Sequence, residues 1–132
     1  MKKFWISIIP GIAWFFILLY LMCLPGQELP NNDWLDKIHF DKIAHFCSFA
    51  LLTFLLFYPF LKPGFPKINP RHALSWIVWL MISWGIITEI VQYLFVPNRS
   101  FDLWDWVFDS LGIFVARAFA LRQMRNPGRI PT

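Results

Sequence analysis

Four stretches of this chain are long, apolar and almost free of charge, and they limit its fold more than any other feature: Phe4–Leu24, Ile43–Leu61, Ala73–Val96 and Leu103–Leu121. A helix needs about 20 mostly apolar residues to cross the hydrocarbon of a bilayer. The first run carries no charge, the second only His45, and the third only Glu89. The fourth is the most polar, with Asp105, Asp109 and Arg117. None alternates apolar and polar residues, so strands fit poorly. Of the 132 residues, 58% are hydrophobic and 20% aromatic, with a mean hydropathy of +0.51. A soluble domain of this size cannot hide so much apolar surface, which makes lipid the expected solvent. The expected fold class is all-α: one polytopic membrane domain over residues 1–132, built as a bundle of four transmembrane helices, with a flexible tail over 122–132.

Met1-Lys2-Lys3 ahead of an apolar run resembles the start of a signal peptide. The run is too long for one, and no small-residue cleavage site follows it. Met22 also stands where lipoprotein processing at Cys23 would want a small residue. The first segment is therefore expected to be retained, with a kink at Pro10-Gly11. Cys23 and Cys47 are expected to pack within apolar helices rather than pair.

The net charge of +4 does not indicate nucleic acid, because the basic residues lie in separate short segments and form no continuous face. They do set an orientation. With the N-terminus in the cytoplasm, nine Lys and Arg residues fall on the cytoplasmic side and three (Lys37, Lys42, Arg99) outside. Both termini are then cytoplasmic. Trp104 and Trp106 suit the outer interface, and Trp5, Trp76 and Trp79 the inner one. A helical bundle points to an inner or plasma membrane, expected to be bacterial.

Helical rise places the polar residues at similar depths in the outer half. Glu89 lies roughly 10 Å below Val96, Asp109 roughly 9 Å and Asp105 roughly 3 Å below Leu103, and His45 roughly 6 Å below Asp41. Within each helix the spacing is three or four residues, so Asp41, Lys42 and His45 share a face, as do Glu89 and Gln92, and Asp102, Asp105 and Asp109. A carboxylate in hydrocarbon costs several kcal/mol unless paired or wet, on the order given by insertion scales. Convergence on one outward-open polar pocket explains all three faces. Its expected lining is His45, Glu89, Gln92, Asp105 and Asp109, with Lys42 and Arg99 as counter-charges at the rim.

Three segments also resemble, in order, the motifs of VanZ-like membrane proteins: "DKIAHFCSFALL", "TEIVQYL" and "NRSFDLWDWVFDSLG". They cover Asp41 to Gly112. The resemblance implies a small membrane protein of several helices with a role at the cell envelope. The family's namesake is associated with resistance to the glycopeptide teicoplanin, a property that does not extend to every member. The family pattern more often has Asn at the position of Asp109. The extra acid here implies protonation, or a proton shared with Asp105 or Glu89.

Each polar residue also has a plainer reading. His45, Glu89 and Gln92 could be interhelical glue. Asp102 and Asp41 could cap their helices. Arg99 could anchor to a lipid headgroup or bind a phosphate. Three functions follow. The pocket could bind an envelope lipid, a lipid-linked precursor or a glycopeptide-like amphiphile. It could be a membrane-embedded hydrolase or transferase with catalytic candidates His45, Glu89 and Asp105. Third, the acids could relay protons in a small transporter, for which the absence of repeats is unfavourable. No metal-ligand spacing is present, so no metal and no cofactor is assigned; a metal on His45, Glu89 and Asp105 is chemically possible but unmarked. The ranking puts amphiphile binding first.

Overall fold

A computed structural model describes residues 2–24, 40–62 and 68–125. The described residues form four helices and no strand: α1 (Lys2–Met22), α2 (Phe40–Leu61), α3 (Pro70–Phe95) and α4 (Leu103–Arg125). Three are long and apolar enough to cross a membrane, over Phe4–Met22, Asp41–Leu61 and Pro70–Phe95. The polar residues of α4 keep it outside that class, yet it packs along α2 from Asp105 to Phe119. It also runs on to Arg125, so the first residues of the expected tail are helical. Residues 126–132, and most of the acid-bearing segment before α2, lie outside the described residues.

Local chemistry sets the helix ends. Asn69 caps α3, its side chain accepting from the Arg71 N–H at 2.9 Å, and Pro70 occupies the first turn, where its missing N–H costs nothing. The helix therefore begins three residues before the apolar run. Between α3 and α4, Val96 N–H donates to the Gln92 carbonyl and Arg99 N–H to that of Val96. Asn98 takes the left-handed conformation (φ 60°) that Asn tolerates well. Asp102 then starts α4, its Oδ1 accepting from the Trp104 N–H at 2.8 Å. The α1 helix passes through Pro10, and α2 contains Pro59.

Polarity is distributed the reverse of a water-soluble bundle. Trp5, Phe16, Tyr20, Trp76, Trp79, Leu80, Phe95 and Phe119 face outward, while His45, Thr53, Thr88, Glu89, Gln92, Asp105 and Asp109 are buried. Lipid provides the apolar solvent, so helix association depends on close packing and internal polar contacts. Contacts show α1 antiparallel to α2, with Trp14 Nε1 donating to the Ser48 carbonyl and Phe4 against Phe60. The α2 and α4 helices run parallel: Lys42 meets Asp105, His45 meets Asp109, and Phe54 meets Phe119. Gly112 sets their separation, because a Cβ there would collide with the Phe46 carbonyl oxygen. Leu18, Phe49, Leu52, Phe57, Leu74 and Ile113 fill the apolar centre.

Cys23 and Cys47 do not pack inside. Both are exposed and unpaired, and Cys47 falls on an outward stripe of α2 with Ile43 and Leu51. Trp104 is exposed, whereas Trp106 turns inward: its indole N–H donates to the Ile82 carbonyl at 3.2 Å, and its ring lies over Gly85.

Candidate functional site

The candidate site lies where the C-terminal end of α3 meets the N-terminal ends of α2 and α4. Lys42 and His45 come from one face of α2, Asp105 and Asp109 from one face of α4, and Glu89 from α3. His45 sits at the centre, with Nδ1 3.0 Å from Asp109 Oδ1 and Nε2 3.8 Å from Asp105 Oδ2. Lys42 Nζ donates to Asp105 Oδ1 at 2.9 Å and to Asp102 Oδ2 at 2.8 Å. Glu89 Oε2 accepts the Asp102 backbone N–H at 3.2 Å. Arg99 Nη2 is 3.7 Å from Asp41 Oδ1.

Two carboxylate oxygens are left over. Glu89 Oε1 and Asp109 Oδ2 are buried without a hydrogen-bond partner. Such groups lose hydration without compensation, which is costly at a site that serves only packing. Gly85 contributes space beside one of them: a Cβ there would sit 3.3 Å from Asp109 Oδ2. A His45 nitrogen, a Glu89 oxygen and an Asp109 oxygen all lie within 4.8 Å of one another, as do ligand atoms of Asp41, His45 and Asp105. Glu89 thus groups with Asp109 at its own depth, and Asp105 lies on the other side of the His45 ring.

The cluster is closed, where the sequence suggests a pocket open to the outside. His45 and Asp105 are each 3% exposed, Glu89 1% and Asp109 0%. The closure consists of ion pairs. Lys42 and Arg99 span the mouth, and their partners Asp102 (39% exposed side chain) and Asp41 (47%) reach solvent. The Lys42 ammonium and the Trp104 N–H hold the Asp102 carboxyl below its ordinary value against the upward push of burial. The carboxylates of Asp41, Glu89, Asp102, Asp105 and Asp109 outnumber the permanent cations Lys42 and Arg99. That balance favours a ligand that brings positive charge or hydrogen-bond donors.

Gln92 stands apart from this group. It is buried, and its amide donates to the Met22 carbonyl at 3.0 Å, holding the end of α1 to α3. Asp102 and Asp41, which double as helix-end residues, instead join the closure. The signal for Asp102 was its place on the Asp105–Asp109 face. Nothing in local sequence pairs Asp41 with Arg99. A separate cavity of 320 Å³ at the opposite end of the bundle, lined by Phe60, Asn69, Arg71 and Met124 among others, has no such buried charge.

The profile of the VanZ/LLP1 family matches residues 5–122. An uncharacterised protein of Schizosaccharomyces pombe is 28% identical over 135 residues, covering 92% of this chain and 74% of the relative. No solved structure matches the chain. With nearly its whole length matched, and with the buried polar residues drawn from "DKIAHFCSFALL", "TEIVQYL" and "NRSFDLWDWVFDSLG", the chain belongs to the VanZ-like family.

Proposed function

We propose that this integral membrane protein binds the polar headgroup of an envelope amphiphile (a lipid, a lipid-linked precursor or a glycopeptide-like molecule) in the His45 cluster. The observation that carries this reading is the pair of buried, unpartnered acceptors, Glu89 Oε1 and Asp109 Oδ2, behind a closure of partly exposed ion pairs. The Lys42–Asp102 and Arg99–Asp41 pairs are partly open to water and contribute little, about 0–1 kcal/mol each, so the mouth can part at those two contacts while Lys42 keeps its bond to the buried Asp105. A headgroup bearing hydroxyl or ammonium donors would satisfy the acceptors. A bare phosphate would meet cations already held by carboxylates. Trp104 and Phe101, exposed beside Asp102, offer apolar surface for a chain or sugar. In this reading both termini are cytoplasmic and the cluster faces outward.

Native mass spectrometry of the detergent-solubilised protein tests the headgroup class. Phosphatidylethanolamine, phosphatidylglycerol, phosphatidic acid and an acylated glycopeptide form the panel. Retention of amine- or hydroxyl-bearing amphiphiles over phosphatidic acid is expected. Equal retention of all four, or preference for phosphatidic acid, contradicts the reading.

A second reading, a membrane-embedded hydrolase or transferase, draws on the 3.0 Å approach of Asp109 to His45 Nδ1. A carboxylate there orients the imidazole and stabilises its protonated form, leaving the other nitrogen to activate water. Hydrolysis of a panel amphiphile by the wild type, lost in His45→Gln, would favour this reading over binding alone.

A further inference from the structure

We propose that His45, Glu89 and Asp109 form a binding site for one divalent metal cation. The ion would take the two oxygens that the amphiphile reading gives to headgroup donors, Glu89 Oε1 and Asp109 Oδ2, so a headgroup would reach the cluster as a further ligand of the ion; metal uptake by the lipid-free protein tests the ion separately.

Geometry comes first. One ligand atom from each residue lies within 4.8 Å of the other two, and the His45–Asp109 separation is 3.0 Å. Donors held about 2.0–2.2 Å from a common ion stand about 3–4 Å apart, so small side-chain rotations suffice. The unpartnered oxygens supply an independent observation. Glu89 and Asp109 are 1% and 0% exposed, and each keeps one oxygen with no hydrogen-bond partner. A cation satisfies acceptors of this kind, and two carboxylates neutralise its charge where hydrocarbon surrounds the bundle.

The second group of possible ligands, Asp41, His45 and Asp105, does not compete equally. Lys42 already bonds Asp105, and Arg99 already approaches Asp41. Those fixed cations would repel an ion there. Asp105 has a different place. Its Oδ2 lies 3.8 Å from His45 Nε2, on the side of the ring away from Asp109. A small shift from 3.8 Å would bring that carboxylate within hydrogen-bond reach of the free N–H of a metal-bound imidazole, where it would orient the ring. One imidazole and two carboxylates suit a first-row divalent ion of intermediate hardness, for which Mn²⁺ and Zn²⁺ are the probes.

The test uses the full chain, stripped with a chelator in detergent and titrated separately with Mn²⁺ and Zn²⁺. The wild type should take up about one equivalent of one of them. Glu89→Gln and Asp109→Asn, each close to isosteric, should weaken uptake by at least about tenfold, and Asp105→Asn by about 10–100-fold. Bound Mn²⁺ should show nitrogen coupling from one imidazole by pulsed electron paramagnetic resonance, and bound Zn²⁺ one imidazole nitrogen by X-ray absorption, readouts that need no variant to fold. No saturable uptake of either ion, coordination by oxygen alone, or loss of uptake in Asp41→Asn with Glu89→Gln and Asp109→Asn unaffected would overturn the proposal.

Discussion

Glu89 Oε2 accepts the backbone N–H of Asp102 at 3.2 Å, so a buried carboxylate of α3 is tied to the first turn of α4. The bond uses one oxygen of Glu89 and leaves the other, Oε1, buried without a hydrogen-bond partner. One residue thereby secures the α3–α4 turn and also lines the candidate site.

That dual use separates two substitutions. Glu89→Gln keeps an acceptor for the Asp102 N–H and should cost less than about 1 kcal/mol. Glu89→Leu leaves that N–H without its partner and should cost about 1–3 kcal/mol, while suiting the lipid environment enough for a folded protein to remain. Thermal unfolding in detergent, followed by circular dichroism, measures both. A Glu89→Leu protein that never folds would make the residue structural glue.

Gly112 sets the distance between α2 and α4, and hence between His45 and Asp109. Gly112→Ala should destabilise by about 1–3 kcal/mol, because the added methyl meets the rigid backbone carbonyl of Phe46. Gly11→Ala should cost less, since its nearest neighbour is the flexible end of the Leu56 side chain at 3.0 Å. Comparing the unfolding midpoints of the two variants checks the order.

Asp102 gives a pH dependence with a definite sign. Its folded carboxyl is held below the ordinary value of 3.8, chiefly by Lys42. Its contribution is therefore complete above that value and is lost as pH falls through the depressed folded value. Asn also caps helices well, so Asp102→Asn removes the ion pair and keeps the cap. At neutral pH it should lose no more than about 1 kcal/mol, because the pair is partly exposed. Below pH 3.8 the wild type should converge on the variant. Unfolding curves of both proteins across pH 3–7 would show it; a gap that widens on acidification contradicts the assignment.

Topology is tested separately. A reporter active only in the cytoplasm should work when fused after Arg125 and fail when inserted at Asn31, as the Lys and Arg asymmetry requires. The opposite pattern would turn the His45 cluster toward the cytoplasm.

The fold was legible because a bilayer imposes the length of its helices, and the apolar runs stand out against turns such as "PNRSFD". Depth along each helix was legible too: rise alone put Glu89 level with Asp109. Other features depend on rotation and on contacts distant in sequence. Gln92 is buried on α3 with Glu89, as their spacing suggests, but its amide reaches the end of α1 and not the His45 cluster. The inward turn of Trp106, onto Gly85 and the Ile82 carbonyl, likewise depends on contacts that its position in the chain does not announce. Closure of the site by Lys42–Asp102 and Arg99–Asp41 brings together residues that are far apart in the chain.

The central claim is that the buried acids serve a ligand rather than only the packing of α2, α3 and α4. The most direct measurement is the unfolding midpoint of wild type and Asp109→Asn, each with and without the amphiphile best retained in the headgroup panel. The account predicts a ligand-induced rise in the wild type that is absent from Asp109→Asn, with the ligand-free midpoints within a few degrees of each other. An Asp109→Asn protein that keeps the full rise, or that fails to fold, would contradict it.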